Sequence, residues 1–307
     1  MLRVTFIGTA SARPTVSRNT SAIAVQREGQ LHLFDCGEGT QRQMMRYGVG
    51  FTVSEIYVTH MHADHYLGTV GLLRTLSLQG REQPLAIYTP AGGAELMRTA
   101  VGLELDEFSF PVQIAPLEPP ATVRQAGYSV EAYAVDHPGR ANGYVLREDA
   151  RPGRFHPEQA RALGVPEGPL FGRLQRGEIV RLEGGGEIHP EQVMGPPRPG
   201  RTVVYTGDTR PCEATVEVAS RCDLLIHEAT FSEAELERAQ RTGHTTARQA
   251  AELARRAGVQ RLVLTHLSAR YSERPQVLER EARQACSGAC EVMVAYDGLT
   301  IEIPLHD

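Results

Sequence analysis

At 307 residues the chain can bury a large core, and its 41% hydrophobic and 22% charged content is that of a globular protein with no long single-residue tracts. No window approaches the roughly 18–20 unbroken apolar residues of a membrane span, and the opening "MLRVTFIGTASA" lacks the apolar core of an export signal. A formal net charge of −5 argues against a nucleic-acid partner, because such proteins usually carry net positive charge. All 32 basic residues are arginine. Five scattered cysteines, an odd number, fit a reducing compartment, so a cytoplasmic protein with no membrane association is expected. Cys286 and Cys290 fall one turn apart near a helix end and read as packing residues, not as a metal site.

In chain order, "LRVTFIG", "SAIAVQ" and "LHLFDCG" alternate as three short strands joined by turns. "GEGTQRQMMRYG" has helical spacing, "VSEIYVTH" is a further strand, and "YLGTVGLLRTLSLQG" is a helix stopping at Gly80. The second half repeats this plan. "YSVEAYAVDH", "NGYVLRE", "TVVYTGD", "CDLLIHE" and "QRLVLTH" read as strands, most of them ending in an acid or a histidine. "TTARQAAELARRAG" is a helix that Thr245 or Thr246 can cap and Gly258 can end. Ionisable residues at several strand ends predict one site along a common sheet edge.

Residues 149–201 break the pattern. They are rich in Gly, Pro and charge, with little core-forming periodicity, and read as an excursion from the domain. Between Arg154 and Arg181 five arginines face three glutamates, a modest basic arm in an acidic protein.

The segment "VTHMHADHYLG" places His60, His62, Asp64 and His65 within six residues, in a chain with 11 histidines. In an extended stretch His60 and His62 share a face, so both imidazoles can reach one cation. Asp64 and His65 follow at the turn into a helix and can reach a second position. Zinc takes imidazole nitrogen and carboxylate oxygen, and a pair of metals needs a bridging carboxylate and ligands from elsewhere. His137, Asp208 and His266 at later strand ends can supply them. The pattern predicts a metal site.

This arrangement resembles the metallo-β-lactamase fold superfamily, over nearly the whole chain. The resemblance implies an α/β fold, a metallo-β-lactamase αββα sandwich with a protruding flexible arm. It implies one domain over residues 1–307, with the arm at 149–201, and two Zn²⁺ per subunit between the sheets, with Mn²⁺ or Fe²⁺ as alternatives. By the same match His60, His62 and His137 hold one metal, Asp64, His65 and His266 the other, and Asp208 bridges. Asp64 is then the general base for a metal-activated water, and Asp35 in "LFDCGEGTQRQ" orients a ligand histidine. On the sequence alone, Asp35 is equally well a turn-stabilising residue.

Further stretches resemble ribonuclease Z, the endonuclease family that trims 3′ trailers from precursor tRNA. These are "LIHEATF" followed by "GHTTARQAA", "LTHLSARY", "FDCGEGTQRQ", "GTASARPTVSRN" and the arm's "GVPEGPLFGRL". The resemblance implies that His244 donates a proton to the departing 3′ oxygen while Glu228 holds it. It also implies a homodimer whose arm grips precursor tRNA bound to the partner subunit. Phosphate contacts are expected from Arg18, Asn19, Arg173, Arg176 and Arg270, concentrated at the site mouth and on the arm. The early loop departs from the family at Val16, where a lysine is common. Two rivals stand beside this reading: a hydrolase of small phosphodiesters or lactones with the same seven ligands, and a non-catalytic RNA-binding protein that keeps the fold.

Overall fold

In the computed structural model, which describes residues 1–103 and 107–306, two seven-stranded sheets stack face to face. From edge to edge the first runs Thr300–Ile303, Leu2–Gly8, Ala22–Arg27, Gln30–Phe34, Val53–Tyr57, Leu85–Thr89 and Val112–Pro116. Its first four strands pair antiparallel and the rest parallel. The second runs Glu291–Val294, Arg261–Thr265, Leu224–Glu228, Thr202–Tyr205, Asn142–Glu148, Tyr128–Ala134 and Ala121–Gln125. Alternation along each strand sends one set of apolar side chains between the sheets and the other outward onto helices. Leu2, Val4, Phe6 and Tyr57 of the first sheet meet Tyr128, Val130, Tyr144 and Ile226 of the second in the central core.

Two outer layers of helices close the sandwich. Thr40–Arg46, Gly68–Leu78 and Gly93–Val101 cover the first sheet through Met44, Leu72, Leu73 and Met97. Ala247–Ala257 and Gln276–Cys286 cover the second, with Ala250, Ala254, Leu278 and Ala282 buried. The metallo-β-lactamase αββα architecture read from the sequence is this one. Thr246 caps its helix, accepting a hydrogen bond from the Gln249 N–H at 3.2 Å, and Gly258 ends it at φ +66°.

One expectation is corrected in part. Asn142–Glu148 and Leu224–Glu228 end on their acids, but the other strands stop one to three residues before the ionisable groups, as with Tyr205 before Asp208 and Thr265 before His266. The backbone must leave the ladder to turn these side chains over the sheet edge. Cys286 and Cys290 pack against the helix-covered core of the second sheet, as expected, and are paired as a disulfide with Cα atoms 6.4 Å apart.

The chain divides into two compact units. The sandwich comprises residues 1–147 and 202–304, and the second unit Glu148–Arg201 with the residues from Leu305. That second unit has a small core of its own, in which Ala160, Val165, Leu174, Val180, Ile188 and Val193 are buried. These positions come from short helices, a two-stranded ribbon and turns, which is why no single periodicity announced them. Glu148 and Arg201 close its base with a buried pair at 2.6 Å and 2.8 Å.

Candidate metal centre

Loops that leave the strands Val53–Tyr57, Tyr128–Ala134, Thr202–Tyr205 and Arg261–Thr265 carry the seven predicted ligands. After Val53–Tyr57 the chain passes His60 and His62 and enters the short helix Ala63–Tyr66, which holds Asp64 and His65. This loop is held by the second sheet, since the Tyr144 hydroxyl donates to the Val58 carbonyl at 2.8 Å and the Asn142 N–H to that of Thr59 at 2.8 Å. Gly207, at φ +60°, precedes Asp208, and a Cβ there would lie 2.7 Å from Thr59 Cβ. Only glycine lets these two loops meet so closely. His266 itself takes φ +57° as it leaves its strand, a conformation that β-carbon residues adopt only when held.

The ligand-type atoms of His60, His62, His137 and Asp208 all lie within 4.8 Å of one another, as do those of Asp64, His65 and His266. Asp208 joins the two groups. One oxygen lies 3.6 Å from His60 Nε2 and 3.5 Å from His65 Nε2, and the other 3.2 Å from His266 Nε2. Four of the imidazoles are fixed from behind through Nδ1. Their partners are the Thr59 hydroxyl for His60 (3.1 Å), Asp35 for His65 (2.7 Å), the Gly243 carbonyl for His137 (2.8 Å) and the Thr230 hydroxyl for His266 (3.0 Å). Such partners set the tautomer and orient the ring, as they do around metal-ligating histidines. The opposite nitrogens then converge: His65 Nε2 and His266 Nε2 are 3.3 Å apart, and His60 Nε2 and His62 Nδ1 are 2.8 Å apart.

Charge within the cluster is strongly biased. Burial pushes the Asp208 carboxyl up, but His266 and His65 outweigh it and hold the group well below the carboxylate range. Burial likewise opposes ionisation of Asp64, and its bonds to His266 and His65 prevail. Burial and the neighbouring His65 push the His60 imidazole well below its ordinary value. Asp208 Oδ1 is buried with no hydrogen-bond partner among the described residues. An orphaned carboxylate oxygen amid converging imidazole nitrogens is the donor set of a divalent cation, and the residues present fit one.

Beside this cluster, Glu228 is fully buried and its Oε1 lies 2.8 Å from His244 Nδ1. Glu228 Oε2 accepts from the Thr230 N–H at 3.1 Å and hydroxyl at 2.7 Å. Burial alone would lower the His244 pKa, but the Glu228 charge and hydrogen bond raise it to about 9. His244, with Asp208 and His266, forms a third group of ligand-type atoms. It differs from His65, whose carboxylate pairing it shares, in being partly open to solvent where His65 is closed.

The comparisons with known proteins fit this geometry. A family model described as "Beta-lactamase superfamily domain" matches residues 192–267, and one described as "Anti-Pycsar protein Apyc1" matches residues 2–100. The crystal structure of human tRNase Z, short form, aligns over 99% of this chain and 100% of that one, with a TM-score of 0.71 and 28% identity. Ribonuclease Z of Myxococcus xanthus is 54% identical over 100% of this chain and 99% of its own, and that of Haloferax volcanii 51% identical over 100% and 96%. The chain belongs to the ribonuclease Z family.

In this ribonuclease Z family member the side chains expected to touch RNA have very different settings. Arg18 is buried, and its guanidinium donates to the Thr9 hydroxyl at 2.7 Å and the Ala295 carbonyl at 2.6 Å. Asn19 is half-buried, and its side-chain N–H donates to the Glu38 carbonyl at 2.8 Å. Arg270 is exposed and paired with Glu235. Arg173 and Arg176, both exposed, share Glu178 at 2.9 and 3.0 Å. Several groups around the site were not read from the sequence. Ala12 N–H donates to Asp64 Oδ2 at 2.7 Å, the Tyr205 hydroxyl to Asp35 Oδ2 at 2.8 Å, and Thr230 links Glu228 to His266. A backbone N–H has no sequence signature. Thr230 lies within "LIHEATF", where a hydroxyl two residues after a carboxylate is the available signal.

Proposed function

We propose that this chain removes the 3′ trailer from precursor tRNA, leaving a tRNA 3′-hydroxyl, with Zn²⁺ as its metal and two ions per subunit. The observation that carries the reading is the Glu228–His244 pair beside the Asp208-centred cluster, in a chain matched end to end by ribonuclease Z proteins. Nitrogen and oxygen donors in two groups joined by one aspartate suit a pair of zinc ions, with manganese or iron as alternatives. Bound there, the metal would supply Lewis acidity toward the phosphodiester and a lowered pKa for water. His60, His62, His137 and Asp208 would hold one ion, and Asp64, His65, His266 and Asp208 the other.

The protein's own groups provide the rest of the chemistry. Cleavage to a 3′-hydroxyl requires a proton on the departing 3′ oxygen. His244, held protonated by Glu228 at neutral pH and partly exposed, is the donor to that oxygen. Asp64, ionised and fixed by Ala12 N–H, accepts the proton of the attacking water. Asp35 holds the His65 ring through Nδ1. The second unit, with Arg173 and Arg176 exposed, is the tRNA-gripping arm in this reading, and Arg270 stands as the cation of the sandwich unit. The subunit works as a homodimer in the cytoplasm. Met45, Leu67 and Leu78, exposed on or beside the helices Thr40–Arg46 and Gly68–Leu78, offer an apolar surface for the second copy.

The deciding experiment is a timed digestion of end-labelled precursor tRNA, with and without a 3′ CCA. Asp64→Ala and a chelator-treated sample run alongside. A single metal-dependent cut at the acceptor 3′ end, lost in the variant, is expected. Intact precursor after incubation with metal-loaded protein would transfer the reading to the small-molecule hydrolases of this fold.

A further inference from the structure

Asp297 belongs neither to the metal cluster nor to the Glu228–His244 pair. It lies in the turn between the strands Glu291–Val294 and Thr300–Ile303. Its carboxylate nevertheless gathers three distant segments. Oδ1 accepts from the Thr9 hydroxyl at 2.7 Å, and Oδ2 from the Asn19 N–H at 2.6 Å and Gln43 Nε2 at 2.8 Å. The buried Arg18 guanidinium donates to the same Thr9 hydroxyl and to the Ala295 carbonyl, completing a charged network around one loop.

That loop, residues 9–19, is closed by the Ala10 N–H donating to the Asn19 carbonyl at 2.8 Å. Its two functional contacts lie at its start. The Leu267 N–H donates to the Thr9 carbonyl at 2.9 Å and the Ser11 N–H to the Leu267 carbonyl at 3.0 Å, clamping the residue that follows His266. One residue further on, Ala12 N–H reaches Asp64 Oδ2 at 2.7 Å. Ala12 takes φ +55°, a left-handed conformation that a Cβ disfavours and that persists where neighbouring structure imposes it. One short segment therefore touches Asp64 directly and His266 through its neighbour.

We propose that Asp297 is a positioning residue. It anchors the 9–19 loop so that Ala12 N–H aims the Asp64 carboxylate and Leu267 sets His266 for the cation they share with His65. The inference rests on the reading of this cluster as a metal centre. It concerns how the protein shapes that centre, and Asp297 touches neither substrate nor reacting atoms.

The test compares Asp297→Asn with the unsubstituted chain in two ways. Zn²⁺ affinity is measured by competition with a chelating indicator, and kcat and KM are measured on precursor tRNA. Groups that orient metal ligands typically contribute about 10- to 100-fold to affinity or activity, and a loss of that size is expected in Zn²⁺ affinity and kcat. KM should stay unchanged. Thr9→Val, which removes the bridging hydroxyl without adding charge, keeps the test usable if Asp297→Asn does not fold, and a Zn²⁺ loss of about 10-fold is expected there. A lower melting temperature with unaltered Zn²⁺ affinity and kcat overturns the proposal, because that is what a purely structural contact would give. Wild-type protein that binds Zn²⁺ but leaves precursor tRNA intact would overturn the proposed function alone, since the Zn²⁺ titration is read independently.

Discussion

Glu228 Oε1 and His244 Nδ1 lie 2.8 Å apart, with the carboxylate sealed from solvent and the imidazole partly open to it. No arginine is hydrogen-bonded to Glu228 among the described residues, and although its charge also reaches His137, His227 and His266, His244 is the ring its carboxylate bonds. This raises the His244 pKa from 6.5 to about 9. A raised histidine pKa means the proton is held below that value and lost as the pH passes upward through it. If His244 is the donor, kcat should fall on the alkaline side near pH 9. In Glu228→Gln that limb should move to lower pH, as the attraction holding the proton is removed. A pH–rate series on both proteins checks this, and a limb that stays put would exclude His244 as the titrating donor. His244→Ala should lower kcat by roughly 10²- to 10⁴-fold, the usual contribution of a general acid.

Removing metal should cost stability as well as activity. The converging imidazoles and the orphaned Asp208 oxygen are preformed for a cation, so a ligand that binds only the folded chain raises its stability. At a free Zn²⁺ concentration 100 times the dissociation constant, the gain is about 2.7 kcal/mol per site. Melting curves after chelation and after Zn²⁺ readdition should differ accordingly. Identical curves would argue that these side chains hold no ion.

Asp35 should matter chiefly through His65, and also through the Thr59 hydroxyl that it shares with His60. It accepts from the Thr59 N–H and the Tyr205 hydroxyl, both at 2.8 Å, while sitting 2.7 Å from His65 Nδ1. Asp35→Asn leaves size and packing nearly unchanged but weakens the hold on the ring. A loss of about 10- to 100-fold in Zn²⁺ affinity is expected. Tyr205→Phe, which removes one donor to Asp35 and leaves the carboxylate in place, should lose less.

Charge reversal of Arg173 and Arg176 tests the arm. Each lost phosphate contact reduces the slope of log affinity against log salt by about 1. Arg173→Glu with Arg176→Glu should therefore weaken precursor tRNA binding and flatten its salt dependence, while hydrolysis of bis-p-nitrophenyl phosphate is spared. Equal loss on both substrates would locate the effect in the cleavage site instead.

The seven ligand candidates were legible because four of them crowd into one heptapeptide and the others follow apolar runs, a pattern that chemistry alone makes uncommon. The helix from Ala247 was legible for a similar reason, since its cap, period and stop all lie within 13 residues. What the sequence hid depends on contacts between distant segments. Arg18 reads as a free cation until Thr9 and Ala295, from opposite ends of the chain, surround it. Ala12 carries no side-chain signal for its bond to Asp64. Residues 149–201 read as coreless because their few apolar side chains come from elements too short to show a period.

The sheet order places Thr300–Ile303 beside Leu2–Gly8, pairing Val4 with Ile301. The first seven-stranded sheet is therefore finished by a segment made long after the strand it covers. Until then Leu2–Gly8 is an unprotected edge, with an apolar row that invites pairing with another chain. Nascent copies translated on one message are closest together during this interval. A chain without Thr300–Ile303 would keep that edge open.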